Sequence, residues 1–177
     1  MSMKKTILKG LHRPIGIPAF LCPIGHLRDG ENLDLHKKIT FHSNCAYDLH
    51  NVDQYDWNKI YGVCFGVLGI HKNSVRFGWR YNANTQLIEL CVIVYQPNKD
   101  PQRYQVAEIA LNEEVSLEIN MQRMKNDVDV FFRVEGMHVG GVTLTPTSFF
   151  HYGCGFYFGG NQRAPHKVSA TYKRIKD

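Results

Sequence analysis

Apolar and polar residues alternate along most of the chain after residue 39, which is the period of a β-strand with one buried face. The clearest example is SVRFGWRY, residues 74–81, in which every second side chain is large and apolar. The apolar positions are Val75, Phe77, Trp79 and Tyr81, and the intervening positions are Ser74, Arg76, Gly78 and Arg80. We predict a strand here, with Phe77 and Trp79 on the face that meets the core.

Nine further segments have a strand-like pattern or composition, and turn residues separate them at intervals of about eight to twelve residues. The segments are 39–45, 60–70, 86–95, 103–111, 114–120, 127–135, 138–145, 153–160 and 166–175. The asparagine-rich turn YNANTQ predicts that 74–81 and 86–95 form a hairpin. No stretch shows sustained helical periodicity. The sequence therefore predicts an all-β protein in which two antiparallel sheets pack face to face.

Residues 1–38 differ from the rest, because glycines and prolines punctuate them throughout. We predict an irregular N-terminal arm over 1–38, followed by a sandwich domain over 39–177, and the arm is a candidate surface for a protein partner. Within 60–70, one side of the predicted strand is small, with Gly62, Cys64 and Gly66. A neighbouring chain or a ligand can therefore approach closely there.

The composition excludes several classes of protein. With 44% hydrophobic residues the chain can fill a core, and its formal charge of +5 is spread out, so nucleic-acid binding is not expected. Five cysteines at irregular spacing contain no zinc motif. Three of them, Cys45, Cys64 and Cys91, lie in apolar or strand-like runs, and we interpret these as small buried thiols in a reducing compartment. The sequence shows no signal peptide and no membrane span, so we expect a cytoplasmic protein without cofactor or metal; a viral or phage origin is equally compatible.

The stretch GFYFGGNQRAP resembles the aromatic-x-Gly-Gly strand near the C-terminus of laminin-G-like modules. It is more loosely similar to the YFKAG-x-x-Q strand of the alginate-lyase type of polysaccharide lyase. In that comparison Tyr157, Phe158, Gly160 and Gln162 match, and Gly159 stands in place of lysine. Together with the order of the segments, this resembles the concanavalin A-like superfamily of lectins and glucanases, which implies a jelly-roll sandwich. A second resemblance, carried by DQYDWNKIYGVCFG and HKNSVRFGWRY, is to short uncharacterised bacterial and phage proteins, and it implies no activity.

The chain departs from the catalytic patterns of that superfamily. It lacks the Glu-x-Asp-x-x-Glu strand of the glucanases, and it lacks the Arg-x-Glu and Gln-Ile/Val-His strands of the alginate-lyase type. Tyr157, His166 and Arg76 are then the candidates for a lyase reaction. In such a reaction an arginine neutralises a uronate carboxylate while a tyrosine or histidine takes the C5 proton.

The polar face of the predicted hairpin is the first candidate binding surface. Arg76, Arg80 and Glu89 lie on it, with Arg133 on another strand. The two hairpin arginines could clamp the acidic groups of an extended anionic ligand, because guanidinium binds carboxylate bidentately. The alternative, which we favour, is cross-strand ion pairing with Glu89 or Asp129.

Two polar and aromatic stretches are further candidates for binding a glycan. Asn161, Gln162 and His166 follow the two glycines of the C-terminal motif and offer amides and an imidazole. Trp57 stands among polar residues, where an indole could stack on a sugar ring. The alternatives, which we favour, are a wide turn between two strands and a tryptophan that caps the core.

Histidine and cysteine offer two weaker possibilities. HSNCAYDLH places His42, Cys45, Asp48 and His50 within nine residues, but the spacing matches no known set of metal ligands. Cys154 with His151 or His166 could form a nucleophile pair, although a strand would usually point Cys154 and His151 to opposite faces.

Three functions follow as hypotheses. The leading one is a non-enzymatic, lectin-like module that binds a carbohydrate or another polar ligand. The second is a polysaccharide lyase acting on uronate-containing glycans. The third is an interaction or assembly protein, for which an association with phage is one option. The residues expected at a binding groove are Arg76, Arg80, Glu89, Trp57, Asn161, Gln162 and His166.

Overall fold

The computed structural model describes residues 2–14, 24–66, 70–159 and 161–175, and these form two six-stranded antiparallel sheets. In spatial order, sheet A contains β1 (Ser2–Ile7), β12 (Val168–Arg174), β3 (Asn32–Phe41), β8 (Glu114–Met124), β9 (Asp127–Val134) and β10 (Met137–Leu144). Sheet B contains β2 (Gly25–His26), β11 (Phe150–Cys154), β4 (Asn58–Phe65), β5 (Ser74–Asn82), β6 (Leu87–Tyr95) and β7 (Gln102–Ile109). Short 3-10 turns span Ser43–Cys45 and Val52–Tyr55. The predicted all-β class with two antiparallel sheets is confirmed.

One hydrophobic core fills the space between the sheets. Phe77 of sheet B meets Phe132 of sheet A edge to face, with ring centroids 5.6 Å apart. The fully buried Trp79 packs against Phe41 of sheet A at 5.1 Å and is stacked with Phe156 at 5.8 Å. The predicted core face of residues 74–81 is therefore confirmed.

The predicted hairpin over 74–95 is also present. Strand β5 pairs with β6 without a register shift from Ser74 opposite Tyr95 to Asn82 opposite Leu87. Two other predicted segments differ in extent. The strand expected over 39–45 ends at Phe41 and gives way to a 3-10 turn, and the last part of 153–160 keeps only a single bridge, from Tyr157 to Lys59.

The prediction that residues 1–38 are irregular is wrong for much of the part that the structure describes. Strand β1 pairs with β12, and β3 starts at Asn32 and lies inside sheet A between β12 and β8. The alternation of β3 continues through Leu35, Ile39 and Phe41, which are all buried. Lys37 interrupts it in the sequence, yet its ammonium lies over the ring of Tyr61, so the position still packs. Most of the proline-containing segment, 15–23, lies outside the described residues.

No helix among the described residues is long and apolar enough to cross a membrane.

Candidate functional site

The face of sheet B that points away from the core carries an unusual mixture of cations, aromatic rings and small residues. Alternate side chains of β5 and β6 point away from the core. On this face Arg76 lies directly opposite Ile93, and Gly78 lies opposite Cys91. Strand β7 adds Arg103 opposite Ile93 and Gln105 opposite Cys91. We call this surface the outer face of sheet B.

A cavity of about 520 Å³ opens on the outer face of sheet B. We call it the sheet B cavity. Its lining contains three groups that carry or accept a positive charge, and Asp56 is the one carboxylate among the described residues there. The described lining residues are Tyr55, Asp56, Trp57, Lys59, His71, Ile93, Tyr95, Arg103 and Asn161.

Lys59 is the cation that the fold perturbs most. Its ammonium donates to the carbonyl oxygen of Gly159 at 3.3 Å and lies 5.8 Å from the ring centroid of Tyr157. Burial lowers the pKa of Lys59 to about 8, and the charges of Arg76 and Arg103 act in the same direction. A substantial fraction of this amine is therefore neutral near pH 8, which is the state in which a lysine can accept a proton.

Arg76 is held by the protein instead of projecting into the cavity. It is buried, and its guanidinium donates to the hydroxyl of Ser74 at 3.0 Å and to the carbonyl oxygen of Ile70. It also lies 5.2 Å from the ring of Tyr95. Arg76 therefore holds the chain where β5 begins, and its charge acts on the cavity at a distance. Burial lowers the pKa of His71, and the charge of Arg76 lowers it further.

Arg103 is the cation of the cavity that is available to a ligand. It is exposed, and its guanidinium has no hydrogen bond and no ion pair among the described residues. Trp57 and Tyr95 supply apolar surface beside it, packed with Cys91 and Ile93 in a small cluster of their own. An anionic ligand with an apolar face fits this combination of charge and ring surface.

Arg80 and Glu89 form the cross-strand ion pair that the sequence suggested as the alternative to ligand binding. They are register partners, the Arg80 Nε donates to a carboxylate oxygen of Glu89, and Glu89 also accepts from Asn82 at 2.7 Å. The guanidinium lies 4.2 Å from the ring centroid of Trp57, which it partly covers. This pair closes one end of the outer face, with Trp57 half-buried beneath it.

Replacing Arg80 by methionine is expected to lower the free energy of unfolding by about 2–3 kcal/mol, because Glu89 is almost completely buried and would keep its charge without its cation. The double variant Arg80→Met/Glu89→Gln should recover part of this loss. Urea unfolding of the wild type and both variants measures the difference. Equal losses in the single and double variants would contradict the assigned coupling.

The other predicted site residues are placed as follows. Trp57 and Asn161 line the sheet B cavity. Gln162 is exposed and donates to Asp53 at 3.1 Å. His166 makes its hydrogen bond with the carbonyl oxygen of Asn44 at 3.1 Å, and it is not among the described residues that line the cavity. Tyr157 lies beside Lys59, with which it exchanges two backbone hydrogen bonds of 2.9 Å.

The glycine motif after Tyr157 serves the fold directly. Gly159 has φ +81°, and a Cβ there would collide with the carbonyl oxygen of Gln162. Its N–H donates to the side-chain oxygen of Asn58, whose amide nitrogen in turn donates to the hydroxyl of Tyr47 at 2.9 Å. The turn predicted for this motif therefore explains why residue 159 is glycine. Asn161, two residues later, lines the sheet B cavity.

The histidine and cysteine alternatives find no assembled site. The thiol of Cys45 is buried and donates to the carbonyl oxygen of Ser169 at 3.1 Å, and burial raises its pKa to about 12. His42 contacts the hydroxyl of Thr171 at 2.8 Å instead. Within the described ranges no group of three or more His, Cys, Asp and Glu side chains could hold a metal ion. His151 lies opposite Phe65 and Cys154 opposite Gly62, on opposite faces of β11.

Sequence reasoning missed Lys59, His71 and Arg103. Strict alternation puts Lys59 on the same face as Tyr61, which is in the core, but a register shift between Lys59 and Tyr61 moves Lys59 to the outer face. His71 comes from a loop and Arg103 from an edge strand. Only Arg103 could have been found from the sequence. Pairing the predicted strand 103–111 with 86–95 would have placed Arg103 beside the outward-facing Ile93.

No protein-family model and no curated protein matches the chain. Among solved structures it is similar to an alginate lyase in complex with dimannuronate, with 14% identity, a TM-score of 0.62 and coverage of 99% of this chain and 75% of that one. It is also similar to an alginate lyase from Pseudomonas aeruginosa, with 13% identity and a TM-score of 0.54. That match covers 83% of this chain and 64% of the lyase. It is also similar to a functionally unknown protein from Saccharomyces cerevisiae, with 9% identity and a TM-score of 0.51. That match covers 97% of this chain and 83% of the yeast protein. These likenesses show the fold, a concanavalin-like jelly roll.

Proposed function

We propose that this protein binds uronate-containing glycans on the outer face of sheet B and cleaves them by β-elimination. The observation that carries the proposal is the sheet B cavity, where Lys59, His71 and Arg103 surround aromatic surface and face a single carboxylate, Asp56, among the described residues. The fold shared with alginate lyases, one of them solved with dimannuronate, supports a glycan as the ligand.

Binding follows from the two kinds of surface in the cavity. The carboxylate of a uronate pairs with the guanidinium of Arg103, which has no partner of its own in the described part of the chain. The apolar face of the sugar ring packs against Trp57 or Tyr95, while Asn161 offers an amide to its hydroxyls. A neutral glycan would gain the stacking and lose the charge pairing.

Cleavage requires a base and a neutralised carboxylate. Arg103 offsets the charge of the uronate and so acidifies its C5 proton. The neutral amine of Lys59 accepts that proton, a C4–C5 double bond forms, and the C4–O4 bond breaks. The leaving oxygen takes a proton from a hydroxyl, and Tyr157 beside Lys59 is our candidate for that donor. The proton gained by Lys59 is then returned to Tyr157 through solvent, so the reaction balances with the glycan alone and needs no added oxidant or cofactor.

The second candidate function is glycan binding without cleavage. It is favoured by the positions next to Arg76 on the outer face, which are Gly78, Cys91 and Ile93. None of them supplies an acid or a base near neutral pH, because burial raises the pKa of the Cys91 thiol. On this alternative, Lys59 and Arg103 bind the carboxylates and no proton is transferred.

Purified protein incubated with polymannuronate, polyguluronate, polygalacturonate, hyaluronan and a neutral glucan tests both functions. We expect the ultraviolet absorbance of new unsaturated ends with at least one uronate polymer and none with the glucan. Arg103→Ala should weaken binding roughly 10-fold or more, and Arg133→Ala, an exposed arginine on sheet A, should not. Binding of a uronate without new ends would establish the second candidate. Binding of none of the polymers would refute both.

A further inference from the structure

A second cavity, of about 450 Å³, is lined by Tyr157, and its other lining residues have no role in the proposed function. Two arginines, Arg13 and Arg163, line it together with His12 and Tyr157. No acidic side chain is among the described residues of its lining, and neither arginine has a hydrogen bond or an ion pair within the described ranges. Both arginines are exposed, and two guanidinium groups that line one cavity without a counter-charge attract an anion to it.

The walls of this cavity are fixed by the backbone. The N–H of Gly10 donates to the carbonyl oxygen of Ala164 at 2.8 Å, and the N–H of Ala164 donates to that of Leu11 at 3.1 Å. The N–H of Phe158 donates to the carbonyl oxygen of His12 at 2.8 Å. The segment that carries Arg13 is thus tied to the segment that carries Arg163 before any ligand binds. Binding an anion there requires ordering of the two arginine side chains but not of the backbone that carries them, which lowers the entropy cost.

His12 and Tyr157 form the aromatic side of the cavity. Their rings are stacked, with centroids 5.2 Å apart and planes 10° apart. The Nδ1 of His12 lies 2.9 Å from the carbonyl oxygen of Phe158, and because a carbonyl can only accept, Nδ1 is the protonated nitrogen. This hydrogen bond and the stacking hold the ring of Tyr157 in place in the wall of the second cavity.

We propose that Arg13 and Arg163 form an oxyanion subsite that binds a second acidic group of the same glycan. The proposal rests on the proposed function. Tyr157 connects the two sites, because it lines the second cavity while its ring lies 5.8 Å from the ammonium of Lys59, which lines the first. The chain from Asn161 to Arg163 also runs from one cavity to the other. The preferred ligand is therefore an oligosaccharide with acidic groups on both sides of Tyr157.

Isothermal titration with a uronate disaccharide and a hexasaccharide tests this, using the wild type, Arg13→Ala/Arg163→Ala and the matched variant Arg133→Ala/Arg174→Ala on sheet A. The wild type should bind the hexasaccharide more tightly than the disaccharide. The Arg13/Arg163 variant should lose roughly 10- to 100-fold in affinity for the hexasaccharide and little for the disaccharide. The matched variant, with the same loss of charge, should bind both as the wild type does.

A second arm separates this inference from the proposed function. Inorganic sulfate and phosphate are titrated while the side-chain N–H resonances of Arg13 and Arg163 are followed by NMR. Shifts of both resonances, absent for Arg133, support an oxyanion site even if no glycan binds, in which case the proposed function fails and the ligand is a sulfated or phosphorylated molecule. Equal hexasaccharide affinity in the wild type and the Arg13/Arg163 variant overturns the subsite and leaves the proposed function intact. No shift with any anion and no glycan binding overturns both.

Discussion

Replacing Lys59 by methionine is expected to reduce the rate of glycan cleavage by roughly 100- to 10,000-fold, the range for removal of a general base. Methionine keeps the length and the apolar stem of the side chain but cannot accept a proton. The effect should fall mainly on kcat, because Arg103, Trp57 and Asn161 still line the cavity and still bind the sugar. Lys99→Met, at an exposed lysine outside the cavity, is the matched control.

The same role for Lys59 predicts how the cleavage rate of the wild type changes with pH. Because burial, Arg76 and Arg103 lower the pKa of Lys59 to about 8, its amine is mostly protonated at pH 7 and mostly neutral at pH 9. The cleavage rate of the wild type should therefore rise with pH through about 8 and then level off. A rate that is flat over this range, or a Lys59→Met variant that still cleaves, would show that another group is the base.

The same lowered pKa makes a prediction about stability that does not depend on any glycan. The folded-state pKa lies below the ordinary 10.5, so between about pH 8 and 10.5 the unfolded chain binds more protons than the folded one. As the pH rises from about 8 to 10.5, the free energy of unfolding of the wild type should increase relative to that of Lys59→Met. Below pH 8 the buried lysine is charged, and the variant should exceed the wild type in stability by its largest margin. Thermal unfolding of both proteins at a series of pH values measures the difference and places the titration of Lys59 independently of activity.

Gly62→Ala is expected to be the most damaging single methyl addition on the outer face of sheet B. A Cβ at Gly62 would overlap the carbonyl oxygen of Val75 and lie 2.6 Å from the Cα of Arg76. Both obstacles are backbone of β5, the register partner of β4 in the middle of sheet B, so neither can rotate away. We expect a loss of about 4 kcal/mol or more in the free energy of unfolding, which approaches the total stability of an average domain.

Gly155→Ala is the control for this prediction. Its φ is not in the left-handed region, and the nearest atom to an added Cβ is the ammonium of Lys5 at 3.9 Å, an ordinary contact. Its unfolding midpoint should stay close to that of the wild type, within the range of about 0.5 kcal/mol typical of surface changes. A Gly62→Ala protein with wild-type stability would mean that β4 and β5 can move apart at this point and that their register is not fixed.

The close approach at Gly62 was visible in the sequence in outline. One side of residues 60–70 is made of small residues, which predicted that something would come near. The structure identifies the neighbour as β5, at Val75 and Arg76, and so the space is occupied by the protein itself. Pattern alone could not distinguish a packed strand from a ligand, because both require the absence of a side chain.

The segment before residue 39 shows the opposite case. Gly10 and Gly30 correctly mark turns, but glycine and proline frequency does not reveal that β1 and β3 are added to sheet A by pairing with β12. A strand such as β3 is stabilised by neighbours that are distant in the chain, and local composition carries little of that information. Leu35 and Ile39 are buried and follow the two-residue period of β3. Lys37, a charged residue at the position between them, interrupts the apolar pattern in the sequence, although its side chain packs over Tyr61.

The sequence by itself determined the all-β class, the two antiparallel sheets, the hairpin over 74–95 and the core face of Phe77 and Trp79, because these follow from a two-residue period that each strand carries locally. The tertiary structure alone decided which polar groups meet. A register shift in β4 turns Lys59 outward, and the pairing of β7 with β6 brings Arg103 beside Ile93. Backbone hydrogen bonds between Gly10, Leu11 and Ala164 tie the segment that carries Arg13 to the segment that carries Arg163. Such contacts depend on register and on long-range pairing, and neither quantity is encoded in the period of any single strand.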